Sequence, residues 1–485
     1  MNHRSAPRPH SRRPTAIGAP WLGAIYVAVV LLPLVAALSG GSGHGLPLMR
    51  LSAAAGTAGA AMVLLQMLSS GRFERLSGGV GIDVTMAFHK WAAPVALFLS
   101  ALHVAALVGP PDPDRPGRVA RRAQLFWSSD ALLDARLALL LLALLVIVAL
   151  LRDRLPLRYE TFRATHALGA VALVGLLTWH ILGDARGGTS TTTFWLALTA
   201  ACVLPALWVY GRRLSTPDDA LWSVAETRPI ADGLWELLLT PPQRGGLAFA
   251  AGQFAWMAVG RRRLPLWDHP FSIASAPDDP RIRFIIQEAG DFTSAIGDLA
   301  PGTRVALDAP HGRFGVGDDS SGPVVLIAGG VGIAPILSIL TDLASRAGTR
   351  KVRLIYAARS PSAMIPPELY LPSCERLGLR PVLLVDEGAE ATPGLGQGPL
   401  RPEHLAEALQ GLESARTTAL ICGPGPMMTA AADALWRLGV PLGQIDYERF
   451  SYSAGGASAK DRRRLLAFAA TFAAICAGVV AYSAL

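Results

Sequence analysis

Cysteine is scarce and scattered. Four thiols, Cys202, Cys374, Cys422 and Cys476, are spread over 485 residues. There is no CxxC pair and no spaced quartet, which argues against a disulfide framework, a cysteine metal site or a ferredoxin-type iron–sulfur cluster. No loop shows the EF-hand calcium pattern, and no nucleic-acid-binding motif is present. Charge is sparse too: charged residues make up 16% of the chain, and the 36 acidic ones are outnumbered by 44 basic ones, for a formal net charge of +8. The arginines cluster beside apolar runs, so this basicity points to a membrane surface rather than to nucleic acid.

What the chain has in abundance is apolar sequence, 51% of its residues. After an Arg/Pro/His-rich tail, residues 1–20, apolar runs follow at about 21–38, 50–69, 87–108, 132–151, 164–183 and 193–211. Each is long enough to cross a hydrocarbon core about 30 Å thick as a helix. Arg12-Arg13 ahead of the first run could mark a cleaved twin-arginine signal. The run is long for such a signal and no clear cleavage site follows it, so a retained span is the better reading. A seventh run, Leu465–Leu485, follows the basic residues Lys460, Arg462, Arg463 and Arg464. It reads as a C-terminal span, with a surface anchor as the alternative.

Two of the runs carry paired histidines. His89 and His103 are fourteen residues apart, and so are His166 and His180, in a chain with only ten histidines. On a helix, fourteen residues advance about 21 Å and fall about 40° short of four full turns. Both members of a pair therefore share a face, one near each edge of the bilayer. A lone buried histidine is more often a hydrogen-bonded core residue, but ionisable groups inside a membrane usually mark a site. Two such helices offer four imidazoles at two depths, the geometry that two stacked bis-histidine haems require. Arginines at the N-terminus and at 72, 75, 152, 154, 158, 212 and 213 favour one side, read as cytoplasmic. The loop bearing Arg115, Arg118, Arg121 and Arg122 falls outside, against that trend. In this topology both histidine-bearing spans run outward, pairing His89 with His166 near the cytoplasm and His103 with His180 near the outer face. Arg50, at the outer start of its span, is either a haem-propionate partner or a plain interfacial arginine.

From about residue 216 the pattern changes. Short alternating runs broken by Gly, Pro and Asp, such as Leu234–Leu239 and Arg283–Gln287, predict an antiparallel β-barrel. After Gly322, apolar strands alternate with helical stretches, which predicts a parallel α/β domain. Its first strand runs into Gly329-Gly330-Val331-Gly332-Ile333-Ala334-Pro335, a glycine turn and helix start suited to a phosphate group. A second narrow turn follows a later strand at Cys422-Gly423-Pro424-Gly425-Pro426.

Together these motifs carry a resemblance. His269-Pro-Phe-Ser-Ile-Ala-Ser275, Gly290-Asp-Phe-Thr293 and the two glycine turns resemble, in order and spacing, the ferredoxin–NADP reductase-like flavoprotein module. The closest likeness is to the version found in ferric reductases and NADPH oxidases, whose haem-bearing helices are similar to the stretches around Phe88-His89-Lys90 and Tyr159–His166. The likeness covers roughly residues 50–452. It implies FAD lined by His269, Pro270, Phe271 and Ser272, with Ser272 near the reactive ring nitrogen and Asp291, Phe292 and Thr293 beside the flavin pyrophosphate. It implies NADPH or NADH held by Gly329, Gly330, Gly332 and Pro335, with Cys422, Gly423 and Pro424 bordering the nicotinamide. Tyr447-Glu-Arg-Phe450 is similar to the family's closing segment, and Phe450 is the ring expected over the flavin. A reactive-thiol role for Cys422 has no neighbouring base or cation in its favour. Arg359 stands where a 2′-phosphate would be gripped, or is a surface arginine. The chain departs from the family pattern by continuing beyond the closing segment.

The resulting expectation is a multidomain membrane protein: a cytoplasmic tail (1–20), a six-helix transmembrane haem bundle (21–213), an antiparallel β-barrel FAD domain (216–318), an α/β Rossmann-like NAD(P) domain (322–452), a basic linker (453–464) and an extra C-terminal transmembrane helix (465–485). The expected metal ligands are His89, His103, His166 and His180, for two haem b. The expected reaction moves electrons from cytoplasmic NAD(P)H through FAD and the haems to a small acceptor outside, a ferric chelate or oxygen, across the plasma membrane. Two competitors stand beside it: a membrane-anchored flavin reductase serving a soluble or quinone partner, and a nucleotide-binding redox sensor without net flux. The short outer loops name no acceptor, and nothing in the sequence sets the oligomeric state.

Overall fold

The computed structural model describes residues 18–39, 46–69, 73, 80–183, 188–260, 267–317, 321–346, 350–448 and 456–485. These divide into two compact units, 16–212 with 464–485, and 213–463.

The first unit is helical. Its helices are α1 (Ala19–Ser39), α2 (Pro47–Leu65), α3 (Ile82–Val108), α4 (Arg118–Ser128), α5 (Leu133–Leu150), α6 (Tyr159–Gly183) and α7 (Gly188–Leu214), and most of the C-terminal helix, Ala459–Ala484, belongs with them. Among the described residues seven helices are long and apolar enough to cross a membrane, by length and composition. Large side chains such as Phe98, Leu144, Val171 and Trp179 face outward on these helices, as expected of a bundle solvated by lipid.

Close packing between α2 and α3 depends on small residues. The stretch from Ser52 to Ala61 is almost entirely Ala, Gly, Ser and Thr, which lets two membrane helices approach without long side chains between them. At Gly56 a Cβ would lie 2.7 Å from His103 Nδ1, and at Gly59 one would lie 3.0 Å from Ser100 Oγ. Gly56 thus leaves the space that the His103 ring fills.

Two features differ from expectation. The loop after α3 contains α4, whose C-terminal carbonyls, of Phe126 and Trp127, accept hydrogen bonds from the buried Arg136 of α5. The segment 453–464, expected as a basic linker, is helical from Ala459: Lys460 and Arg462–Arg464 form the first turns of the C-terminal helix. That helix is no loose appendage. Phe88 of α3 lies edge-on to Tyr26 of α1 at 4.9 Å, edge-on to Phe468 at 5.2 Å and stacked on Phe472 at 5.2 Å, and Arg464 pairs with Asp83 at 3.4 Å.

The second unit holds two six-stranded sheets. One is antiparallel, from β1 (Trp222–Ala231), β2 (Leu234–Thr240), β3 (Phe254–Val259), β4 (His269–Ser272), β5 (Ile282–Gln287) and β6 (Arg304–His311), in the order β4-β3-β6-β1-β2-β5. A bridge between Ile273 and Phe284 brings its two ends together. The other is parallel, from β7 (Val324–Gly329), β8 (Val352–Ala358), β9 (Val382–Val385), β10 (Leu395–Gln397), β11 (Thr418–Cys422) and β12 (Ile445–Glu448), in the order β10-β9-β8-β7-β11-β12. Every residue of β7 is buried, the signature of a central strand covered on both faces. The helix that follows β7, Ile333–Ser345, binds the sheets into one unit. Its Ser338 donates to the Ser275 carbonyl at 2.7 Å, and Ile333–Leu343 share a core with Leu234 and Ile285 of the first sheet and with Ala274 and Phe314 beside it.

The ends of β7 and β11 pack backbone against backbone. A Cβ on Gly332 would meet the Cys422 carbonyl oxygen at 2.2 Å and the Gly423 nitrogen at 2.7 Å. Gly330 is glycine for another reason: its φ is +52°, and a Cβ there would meet nothing within 4 Å. Because backbone cannot swing aside as a side chain can, Gly332→Ala is expected to cost about 1–3 kcal/mol or more. Gly330→Ala is expected to cost about 1–2 kcal/mol, from backbone strain alone. Thermal unfolding of the two variants, with the larger fall for Gly332→Ala, checks this.

Candidate functional site

The histidine-bearing helices bring two of the four rings together. The rings of His89 and His166 are 6.3 Å apart between centroids, with planes at 66°. A ligating imidazole nitrogen sits about 2 Å from its metal and about 1.1 Å from its own ring centre, so two imidazoles across one iron have centroids about 6.2 Å apart. The residues here therefore fit a bis-imidazole haem. Among the described residues there is no cluster of three or more His, Cys, Asp or Glu groups suited to a bare ion.

Hydrogen bonds at Nδ1 favour the tautomer that ligation through Nε2 needs. His103 Nδ1 lies 2.8 Å from the Ser52 carbonyl oxygen, which can only accept, and 3.0 Å from Ser52 Oγ. The proton is thus on Nδ1 and Nε2 is the basic nitrogen. His180 Nδ1 lies 3.4 Å from Asp134 Oδ2, an ion-pair contact that does not fix its tautomer. His89 Nδ1 is 3.1 Å from Ser69 Oγ, whose own hydrogen points to Gln66 Oε1 at 2.8 Å, so the hydroxyl accepts from the ring. His166 stacks on Phe162 at 5.5 Å, and its buried Nδ1 has no hydrogen-bond partner among the described residues. Such contacts orient ligating histidines and raise their basicity. Ser52, Ser69, Gln66 and Asp134 were not singled out by the sequence, because hydroxyls, amides and single carboxylates at helix positions have no distinguishing spacing. Arg50 falls in the first turn of α2, after Pro47.

In the second unit, residues far apart in sequence converge. His269 of β4 stacks on Phe292 at 4.1 Å, and Phe271 stacks on the same ring at 5.9 Å. The HPFS strand and the GDFT turn thus form one aromatic surface. Thr293 Oγ1 accepts from the backbone N–H groups of Ala289 and Gly290 at 2.8 and 3.0 Å, and Asp291 opens this short helical turn. Pro270 pairs with Trp256 across the sheet.

Ser272 is buried, and its hydroxyl donates to Glu448 Oε2 at 3.4 Å. Cys422 lies opposite Glu448 in the β11–β12 register, and its thiol faces the Glu448 carbonyl oxygen at 3.9 Å. Ser272, Cys422 and Glu448 therefore meet where the two sheets join. Glu448 belongs to the YERF stretch, in which only the aromatic had been singled out; that aromatic, Phe450, lies outside the described residues. Burial, reinforced by the Glu448 carboxylate, pushes the Cys422 thiol well above its ordinary pKa. A neutral, fully buried thiol is poorly placed to act as a nucleophile. Gly329, Gly332 and Gly423 pack against Pro424, Met427 and Cys422, and Gly330 alone faces open space. Pro335 lies in the first turn of the following helix. Arg359, just past β8, is exposed and faces Glu387 at 3.7 Å.

Against known proteins, residues 55–177 match the ferric reductase like transmembrane component, 225–310 an FAD-binding domain and 326–433 the oxidoreductase NAD-binding domain. The arrangement matches a ferric reductase/NADPH oxidase-like flavocytochrome. The two nucleotide-binding domains make the chain an NAD(P)H-dependent oxidoreductase. It is 27% identical over 246 residues to the reductase component of propane 2-monooxygenase of Rhodococcus jostii, spanning 48% of this chain and 64% of that protein. It is 31% identical over 240 residues to the ferredoxin reductase component of 3-ketosteroid-9-alpha-monooxygenase of Mycolicibacterium smegmatis, 47% of this chain and 64% of that one. The Amycolatopsis cytochrome P450 reductase structure aligns with a TM-score of 0.42 at 26% identity, over 47% of this chain and 69% of that chain.

The thiols give a direct check on the junction between the two sheets. Burial pushes Cys374 up to about 11 and Cys422 well above its usual range. Both are therefore expected to stay protonated and resist alkylation at pH 8 in the folded protein, and to react fully once it is unfolded. Peptide mass spectrometry after iodoacetamide reads the result, and fast labelling of Cys422 in the native protein would contradict the burial.

Proposed function

We propose that the chain carries electrons from NAD(P)H on the cytoplasmic face of the plasma membrane, by way of FAD and two haem b, to an acceptor outside, a ferric chelate or oxygen. The observation that carries this reading is the His89–His166 spacing of 6.3 Å in a chain that also holds the Ser272–Glu448 contact beside Cys422. FAD, when bound, accepts a two-electron hydride equivalent and gives up electrons singly, which is what a one-electron haem requires.

In this reading each side chain has a limited task. His269, Phe271 and Phe292 present stacked apolar faces for the flavin, and Pro270 stiffens the strand between them. Asp291 and Thr293 cap the turn beside the flavin phosphates, where Thr293 holds two backbone N–H groups in place. Ser272 keeps a hydroxyl proton shared with Glu448, available beside the reacting ring. Gly330 leaves the approach to the nucleotide phosphates open, with the N-terminal turn carrying Pro335 behind it. Gly329, Gly332 and Gly423 hold the two turns close enough for Cys422 and Pro424 to border the nicotinamide. Arg359 is already paired with Glu387, so it gives no preference between NADPH and NADH. His89, His103, His166 and His180 would hold the haem irons, which would supply one-electron transfer.

The domain limits proposed from this reading are 21–213 for haem, 216–318 for FAD and 322–452 for NAD(P). The curated relatives are reductase components of multicomponent oxygenases, and here the electron-receiving part is fused in the same chain. That fusion favours haem transfer over a flavin reductase merely anchored in lipid. Inside-out vesicles holding the protein are expected to reduce haem on addition of NADH or NADPH and to deliver ferrous iron or superoxide to the lumen. His89→Ala is expected to abolish lumenal delivery by at least about tenfold, a barrier increase of about 1.4 kcal/mol or more, while dye reduction by NAD(P)H continues. Unchanged lumenal delivery in His89→Ala would contradict the proposal.

A further inference from the structure

The turn that follows α2 closes a chain of hydrogen bonds around His89. Beyond Leu65 the backbone tightens, with the Met67 N–H bonded to the Leu64 carbonyl and the Leu68 N–H to that of Leu65, which brings Ser69 back to Gln66. Gln66 Nε2 lies 3.0 Å from the His89 backbone carbonyl oxygen. Ser69 Oγ lies 2.8 Å from Gln66 Oε1 and 3.2 Å from the Gln66 carbonyl oxygen, and His89 Nδ1 lies 3.1 Å from Ser69 Oγ. Each contact fixes the next. A carbonyl only accepts, so the amide turns its N–H to His89 and its oxygen to Ser69. The hydroxyl hydrogen then goes to a Gln66 oxygen and a lone pair is left for the ring, so Nδ1 carries the proton. The facing ring has no such tether: His166 stacks on Phe162, and its Nδ1 has no hydrogen-bond partner among the described residues.

We infer that Gln66 and Ser69 are positioning residues for His89, which put the proton on Nδ1 and leave Nε2 to the iron of the haem at that level. The inference rests on the functional reading above. A ligating imidazole whose second N–H is taken up by an acceptor is held in one orientation and becomes a more basic ligand. A more basic ligand favours ferric over ferrous iron, and hydrogen bonding around the ligands is one of the levers by which a protein sets a haem potential. The Gln66 amide grips the His89 backbone directly and the His89 ring through Ser69, so one residue fixes both main chain and side chain of the ligand. The alternative role for both residues is to close the end of α2, and that role moves stability without moving a potential.

The test is a potentiometric titration of the full-length holoprotein followed by its haem absorption bands, together with the rate at which ferric haem passes to excess apomyoglobin. The component that belongs to His89 is the one weakened in His166→Ala. Ser69→Ala is expected to raise the midpoint of that component alone. Its ferrous-to-ferric ratio at a fixed ambient potential then increases about threefold, equivalent to about 28 mV where tenfold is about 59 mV. Haem is expected to leave that level about tenfold faster. Gln66→Leu is expected to move the same component in the same direction, and Ser69→Thr, which keeps the hydroxyl, to retain the wild-type values. Unmoved midpoints and loss rates in Ser69→Ala, a shift in the opposite direction, or equal shifts of both components would overturn the inference and leave the functional reading standing. If Ser69→Ala assembles no haem at that level, Ser69→Thr decides: wild-type values there support the role of the hydroxyl, and loss there as well overturns it. A wild-type preparation with no haem would overturn the functional reading and this inference with it.

Discussion

An imidazole binds iron only through a nitrogen that carries no proton, and within a membrane no water is at hand to settle which nitrogen that is. The helical unit meets this constraint with its own polar groups. Ser52 and Ser69 each take up an Nδ1, and Asp134 approaches that of His180 as an ion-pair partner; each comes from a helix end or a helix face next to the ring it serves. These groups are costly to bury unless paired, and pairing them with histidine meets that need and orients the ligand at once. The small residues of α2 belong to the same arrangement, because the His103 ring occupies the space that a side chain at position 56 would fill. The C-terminal helix extends it. By packing Phe468 and Phe472 on Phe88, it buttresses the residue adjoining His89.

The nucleotide-binding unit solves a different problem, that of bringing two sheets to one reacting point. Its answer is close backbone packing at the ends of β7 and β11, with glycine where no Cβ fits, and a shared core under the helix after β7. The outcome is that Ser272 of one sheet and Glu448 of the other come within hydrogen-bonding reach. A half-buried carboxylate that accepts from a buried hydroxyl is a place to hold a proton, and the buried thiol beside the Glu448 backbone stays neutral.

Much of this was legible in the sequence because it rests on periodicity or on glycine. The apolar runs became membrane-length helices, the parallel strands appeared where hydrophobic runs alternate with helical ones, and fourteen-residue spacing brought His89 beside His166. What escaped notice was set by tertiary contacts between single polar residues. Ser69 and Asp134 look like ordinary helix-end residues until a histidine is seen beside them. Glu448 sits beside the aromatic that drew attention, yet register across β11 and β12 is what gives it neighbours. Helix α4 was hidden in an arginine-rich loop, and the basic stretch before the last span proved to be its first turns, since Lys460 and Arg462–Arg464 continue a helix as readily as they flank one.

The central claim is that paired imidazoles hold iron at two depths within the helical unit. Its most direct test is the haem content of the purified protein, counted per chain as pyridine haemochrome, in the wild type and in single His89→Ala, His166→Ala, His103→Ala and His180→Ala variants. The account predicts two haem b per chain in the wild type. It also predicts that the first two variants weaken one bis-histidine signal and the last two weaken the other. A wild-type protein that carries flavin but no haem, or four variants that leave both haem signals unchanged, would contradict it.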